Sequence, residues 1–165
     1  MIPILYDKTC KNWPGDFQNN GLGLITHALK CEVTEERNGP LELELTYPAN
    51  GPLANTFEFH QLILAKPNNV DEEHLFRIYD LNKDVVSGTI TINAYSRTND
   101  FGSCMVGDVT SVQRDPQAVL DLMQEKMINK LPYGFTLKSD IPAKDTEVDI
   151  SQYKYKNPLE CLVGT

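Results

Sequence analysis

Long apolar runs are missing from this sequence. Nowhere do about eighteen apolar residues stand together, the length a membrane-spanning helix needs, so no membrane insertion is expected. Basic side chains are also scarce: 15 Lys and Arg stand against 23 Asp and Glu, a formal net charge of −8. Tight nucleic-acid binding works by neutralising phosphates with Lys and Arg and is therefore not expected. The opening residues, Met1 to Lys8, lack both the basic stretch and the long apolar stretch of a secretory leader, so no signal peptide is expected. The four cysteines, Cys10, Cys31, Cys104 and Cys161, are far apart and form no C-x-x-C pair. That excludes a disulfide scaffold as the organising principle and predicts free thiols, packed for the most part as small apolar groups.

Signatures of chemistry are missing too. His27, His60 and His74 lie in different segments, outside any H-E-x-x-H or deaminase pattern, so a zinc enzyme is not signalled. His27 and Cys31 are four apart and would share a helical face, but Cys31 falls on a predicted strand, which favours a packed thiol and a surface imidazole over a metal site. No G-x-S-x-G or catalytic-cysteine pattern appears. Asn20-Gly21-Leu22-Gly23-Leu24 holds a G-x-G without the third glycine, and reads as a turn entering a strand rather than a dinucleotide loop. A glycosidase carboxylate pair would be defined by a separation that a sequence does not carry. Trp13, Phe17, Tyr79, Tyr95 and Phe101 read as core or rim aromatics rather than a sugar or base platform. No catalytic, cofactor-binding or metal-ligating residue is therefore assigned, and no cofactor is expected.

What is present is alternation. With 41% hydrophobic and 23% charged residues the chain has the balance of a folded domain rather than a disordered one. Residues 29–35 and 41–47 both alternate apolar with polar at period two, predicting two strands with one buried and one wet face. Between them Glu36-Arg37-Asn38-Gly39-Pro40 predicts a hairpin loop, because Asn-Gly accepts positive φ. Glu32, Glu42 and Glu44 fall on the outward face with Glu35 and Glu36 near, which reads as a solvated acidic face; a calcium or magnesium site would want carboxylates converging from loops. Residues 62–66, 75–79 and 89–95 are strand-length runs rich in β-branched or aromatic residues, the last two joined through a loop with Gly88. Residues 2–6 predict an edge-like strand because of Pro3. About six strands in the first hundred residues suit an antiparallel barrel or sandwich.

Residues 96–103 are polar and turn-rich. Beyond them Asp115-Pro116 reads as N-cap and first helical residue, with Val119, Leu120, Met123 and Met127 at helical spacing through Lys130. Residues 135–137 and 148–155 predict strands, and Asn157-Pro158-Leu159-Glu160 a second helix start. A helix that short is marginal alone. The expected fold class is mainly β with some α: a β-barrel-like domain over residues 1–105, then a partial, truncated α/β domain over residues 106–165.

Taken in order, Met1 to Lys8, residues 19–24, residues 31–39, residues 41–48, residues 75–79, residues 89–95 and residues 157–164 form a series that resembles the N-terminal region of the phage minor structural proteins of siphophages infecting Gram-positive bacteria. That family is also described as prophage endopeptidase tail proteins, tail-associated lysins or baseplate hubs. The resemblance covers essentially the whole chain. It implies a virion component at the tail tip, made in the host cytoplasm, that assembles with itself as a trimeric ring of β-barrel domains around a DNA channel. The partners it implies are further copies of the chain, the distal tail protein and the tape-measure protein. Wall-cleaving or receptor-binding activity in the family belongs to C-terminal domains, which implies a structural protein and no enzyme here. The other reading is a cell-wall endopeptidase with its site in this chain.

Overall fold

The computed structural model describes residues 1–36, 39–110, 113–131, 135–141 and 148–163. The chain divides into two compact units, residues 1–98 and residues 99–165.

The first unit is a seven-stranded sheet. Its strands are β1 (Ile4–Tyr6), β2 (Gly23–Leu24), β3 (Lys30–Glu35), β4 (Leu41–Pro48), β5 (Leu62–Ala65), β6 (His74–Asp84) and β7 (Thr89–Ser96), in the order β2-β1-β5-β6-β7-β4-β3. Every ladder is antiparallel. The hairpin of β3 and β4 forms as the alternation predicts, with Lys30 opposite Thr46 and Glu35 opposite Leu41. Of its loop, Arg37 and Asn38 lie outside the described residues, and the Gly39 amide donates to the Glu36 carbonyl at 2.9 Å.

Chain connectivity forces the sheet to curl. Laid flat, seven strands would put their outer edges about 29 Å apart, whereas the link from Leu24 to Lys30, at opposite edges, reaches at most about 22 Å. The concave side holds one core of Leu5, Leu43, Leu45, Tyr47, Ile63, Phe76, Ile78, Ile90 and Ile92, sealed by Ile25 and Ala28 from that link. The barrel expectation is met in part: the sheet is a half-barrel, and β2 and β3 share no ladder. A second cluster of Tyr6, Phe17, Leu62, Leu64 and Leu75 covers the convex side where β1, β5 and the start of β6 lie. β5 therefore has apolar neighbours on both faces, which is why Leu62-Ile63-Leu64-Ala65 is a continuous apolar run rather than an alternating one.

Three expectations for these strands are corrected. β1 is not an edge: it lies between β2 and β5, with Ile4 opposite both Leu24 and Leu64. Pro3 falls just before the strand, where its missing N–H removes no ladder bond, and its carbonyl accepts from the Ile25 amide at 2.8 Å. The end strands are β2 and β3, and the single buried face expected of β3 is not formed: only Val33 is half-buried, and Cys31 is exposed rather than packed. The end strand overhangs the core that Leu43 and Leu45, its partners on β4, enter fully. β6 runs longer than expected because a bulge between Ile78 and Asp80 lets Tyr79 slip out, keeping both Ile78 and Leu81 on the core side. In the turn before β2, Gly21 has φ +52°, and a Cβ there would strike the Leu5 carbonyl that accepts from the Leu22 amide.

The second unit is built on shorter elements. β8 (Met105–Val106) pairs with β10 (Met127–Ile128), and β9 (Gln113–Arg114) with β11 (Val148–Asp149). Helix α1 (Pro116–Lys126) starts as predicted: Asp115 is the N-cap and its carboxylate accepts from the Ala118 amide at 2.9 Å. It ends before Lys130, because Met127 turns extended to pair with Val106, so Met127 is buried from a strand rather than from a helix face. Val119 and Met123 pack with Val106, Val109 and Ile150; Phe101, Cys104 and Met127 form a second cluster. Residues 135–137 are not a strand. The Phe135 and Leu137 carbonyls accept instead from the Gln124 and Gln117 side chains of α1, at 3.0 and 3.1 Å. Of residues 148–155 only β11 is extended; Asp149 then caps a 3-10 turn, Ile150–Tyr153, through the Ser151 amide. Helix α2 (Pro158–Val163) is preceded by Asn157, whose side chain accepts from the Leu159 amide at 2.8 Å.

Candidate functional site

The convex surface of β3, β4, β7 and β6 carries the carboxylates that alternation places outward. Cross-strand register sets Glu32, Glu44, Asn93 and Asp80 in one row across four strands. Glu32 and Glu44 are directly opposed, an arrangement that would repel. Lys30 relieves it: its ammonium lies 3.0 Å from Glu32 Oε2 and 2.8 Å from Glu44 Oε1, and those bonds raise its pKa. Reading the acidic residues alone missed this cation, though Lys30 stands two residues before Glu32 and so shares its face. At the far end of the row Asn93 Nδ2 donates to Asp80 Oδ2 at 3.1 Å.

Beside that row Tyr79, displaced by the bulge, stacks on Tyr95 with centroids 4.0 Å apart and planes 11° from parallel. The shielding of its hydroxyl, the hydrogen bond with Tyr95 and the nearby Glu42 and Asp80 carboxylates push the Tyr79 pKa up to about 12. The phenol is a neutral donor across the physiological range. Phe17 and Phe101 are core residues as expected, while Trp13 is 51% exposed.

Two further features suit contact with another chain. Among the described residues β3 has no ladder partner on its outer side, and the exposed Leu29 and Cys31 lie along it. Its Lys30, Glu32 and Glu35 side chains match the charges that natural edges carry against indiscriminate pairing. At the turn between β6 and β7, Val85 and Val86 are 86% and 99% exposed. Asp84 holds that turn by accepting from the Val86 amide at 2.8 Å and the Ser87 hydroxyl at 2.7 Å, bonds that lower its carboxyl pKa.

His27 is exposed ahead of β3, its ring nitrogen 3.0 Å from the Thr26 hydroxyl. His60 is exposed in the left-handed region and His74 opens β6 opposite Ala65. Among the described residues no three His, Cys, Asp or Glu side chains converge as metal ligands, and no helix is long and apolar enough to cross a membrane. Burial pushes the Cys10 and Cys161 thiols up, and at Cys10 the Asp16 and Asp7 carboxylates push the same way, which disfavours a nucleophilic thiolate at either.

No protein-family model and no curated protein matches the chain. Its structure is similar to that of the prophage tail protein gp18 from Listeria monocytogenes EGD-e, with a TM-score of 0.66 over 98% of this chain at 14% sequence identity. The chain spans 44% of the length of that protein. At such low identity the likeness is one of architecture: this chain has the fold of a prophage tail protein.

Proposed function

We propose that this chain is a structural component of a phage or prophage tail tip, a hub-type element that assembles with copies of itself into a trimeric ring around the DNA channel. The observation that carries the reading is the fold shared with a prophage tail protein over nearly the whole chain. The ordered series of residues that resembles the tail-tip family points the same way, and the exposed β3 edge and the valine-tipped turn are surfaces of the kind an assembling subunit uses. A net charge of −8 suits a conduit that must release the genome rather than hold its phosphates. The distal tail protein and the tape-measure protein are the neighbours this role requires. Residues 106–165 are proposed as a second, smaller domain of this element.

Light scattering over a wide concentration range tests the reading, on this chain and on a longer product that carries it. The expected result is a trimer for the longer product and weak or no association for this chain, since interfaces below about 1,200 Å² tend to be transient. A longer product that stays monomeric, or a stable dimer of either, would refute the ring.

A further inference from the structure

A shallow cleft of about 280 Å³, largely open to solvent, lies on the first unit between Trp13, Lys66, Glu72 and Glu73. Lys66 follows β5 and Glu73 immediately precedes β6, so the link between those strands forms one wall and the segment after β1 the other. The indole is held on a braced loop. Its ring leans on Phe17, centroids 5.5 Å apart, and Phe17 is buried edge-on against Tyr6 at 4.9 Å. The Tyr6 hydroxyl donates to the Phe17 carbonyl at 2.9 Å, and one Asp16 carboxylate oxygen accepts from the Lys11 and Asn12 amides at 2.8 and 2.9 Å. A large apolar ring left half in water on so well-tied a loop is prepared for contact, not merely unburied.

We propose that this cleft binds one ring of a neutral saccharide. The lining carries both charge signs, and the Lys66, Glu72 and Glu73 side chains make no hydrogen bond or ion pair among the described residues. An anion entering the cleft meets two carboxylates, and a cation meets the Lys66 ammonium. A neutral polyhydroxylated ring satisfies both, donating hydroxyl protons to the carboxylates and accepting from the ammonium while its C–H face lies on the indole. The volume suits a single ring with the rest of the chain running out into solvent. The site is independent of the assembly role, and neither stands or falls with the other.

Trp13 is the sole tryptophan of the chain, so intrinsic fluorescence reports on the cleft directly. The intact protein is titrated with cellotriose, maltotriose and N-acetylated chitotriose, with trilysine and triglutamate as charged probes. A saturable change with at least one trisaccharide is expected, with a dissociation constant on the order of 1 mM. Followed by ligand-observed NMR, which needs no tryptophan, that binding weakens at least about ten-fold in Trp13→Ala and measurably in Glu73→Gln. Both side chains are at the surface, and circular dichroism checks that the variants fold. No saturable response to any of the three sugars, a response to trilysine alone, or undiminished binding in Trp13→Ala would each overturn the assignment.

Discussion

One ionised group, Asp16, helps to hold the loop that carries Trp13. The two amide bonds to Asp16 hold its carboxyl below the ordinary Asp range. Because the folded pKa is depressed, the stabilisation is fully present above the unfolded value of about 3.9 and is lost as pH falls through the folded pKa. Trp13 emission is therefore expected to change on acidification with a midpoint below that of a free Asp, and the step should vanish in Asp16→Asn. Asp7 and Asp84 are lowered in the same direction, by the Thr9 and Ser87 hydroxyls first, so the variant is needed to separate their titration from that of Asp16. A midpoint at or above the free-Asp value would mean that the amide bonds do not brace the loop.

On β4 two neighbouring residues meet opposite fates. Leu45 is wholly buried beside Ile92 and Tyr47, and Glu44 faces water with Lys30. Leu45→Ala is expected to cost about 2–5 kcal/mol through lost burial and the cavity left behind. Glu44→Ala should cost no more than about 1 kcal/mol, since Lys30 retains Glu32 and exposed ion pairs are weak. Urea unfolding of the two variants measures both, and comparable losses would contradict the period-two assignment of β4. In the second unit, Asp115→Ala removes the cap of α1 and is expected to cost about 1 kcal/mol, read from the unfolding of that unit by amide exchange within α1.

For the whole molecule the prediction concerns where opening begins. β5 and the first half of β6 are paired on both sides and buried, whereas β3 has one side free of any described strand and the ladders of the second unit are two residues long. Native-state hydrogen exchange in dilute solution is expected to be slowest in β5, β6 and β7 and fast along β3 and in the β8–β10 pair. If the free edge of β3 takes part in assembly, its protection rises with protein concentration. Protection of β3 equal to that of β5 at every concentration would mean the edge is already covered within one chain.

Local pattern determined much of this protein. The alternation of residues 41–47 and 89–95, the glycine turn after β6, the Asp115-Pro116 helix start and the outward carboxylates were legible because each depends on residues close in sequence, whose side chains must alternate about a strand or repeat about a helix. The likeness of the ordered series to phage tail proteins was legible as well, in keeping with the architecture shared with a prophage tail protein. Tertiary structure alone decided what lies beside each strand. β1 became interior because β5, nearly sixty residues away, pairs with its free side, and β3 lost its buried face because no described strand follows it in the sheet. α1 stopped at Lys126 because Met127 found a strand partner, Val106, that helical spacing cannot reveal. Trp13 stayed in water because the convex core was completed by Phe17 and Tyr6 beneath it. The period of a segment tells which of its residues share a face; whether that face is covered depends on elements brought to it from elsewhere in the chain.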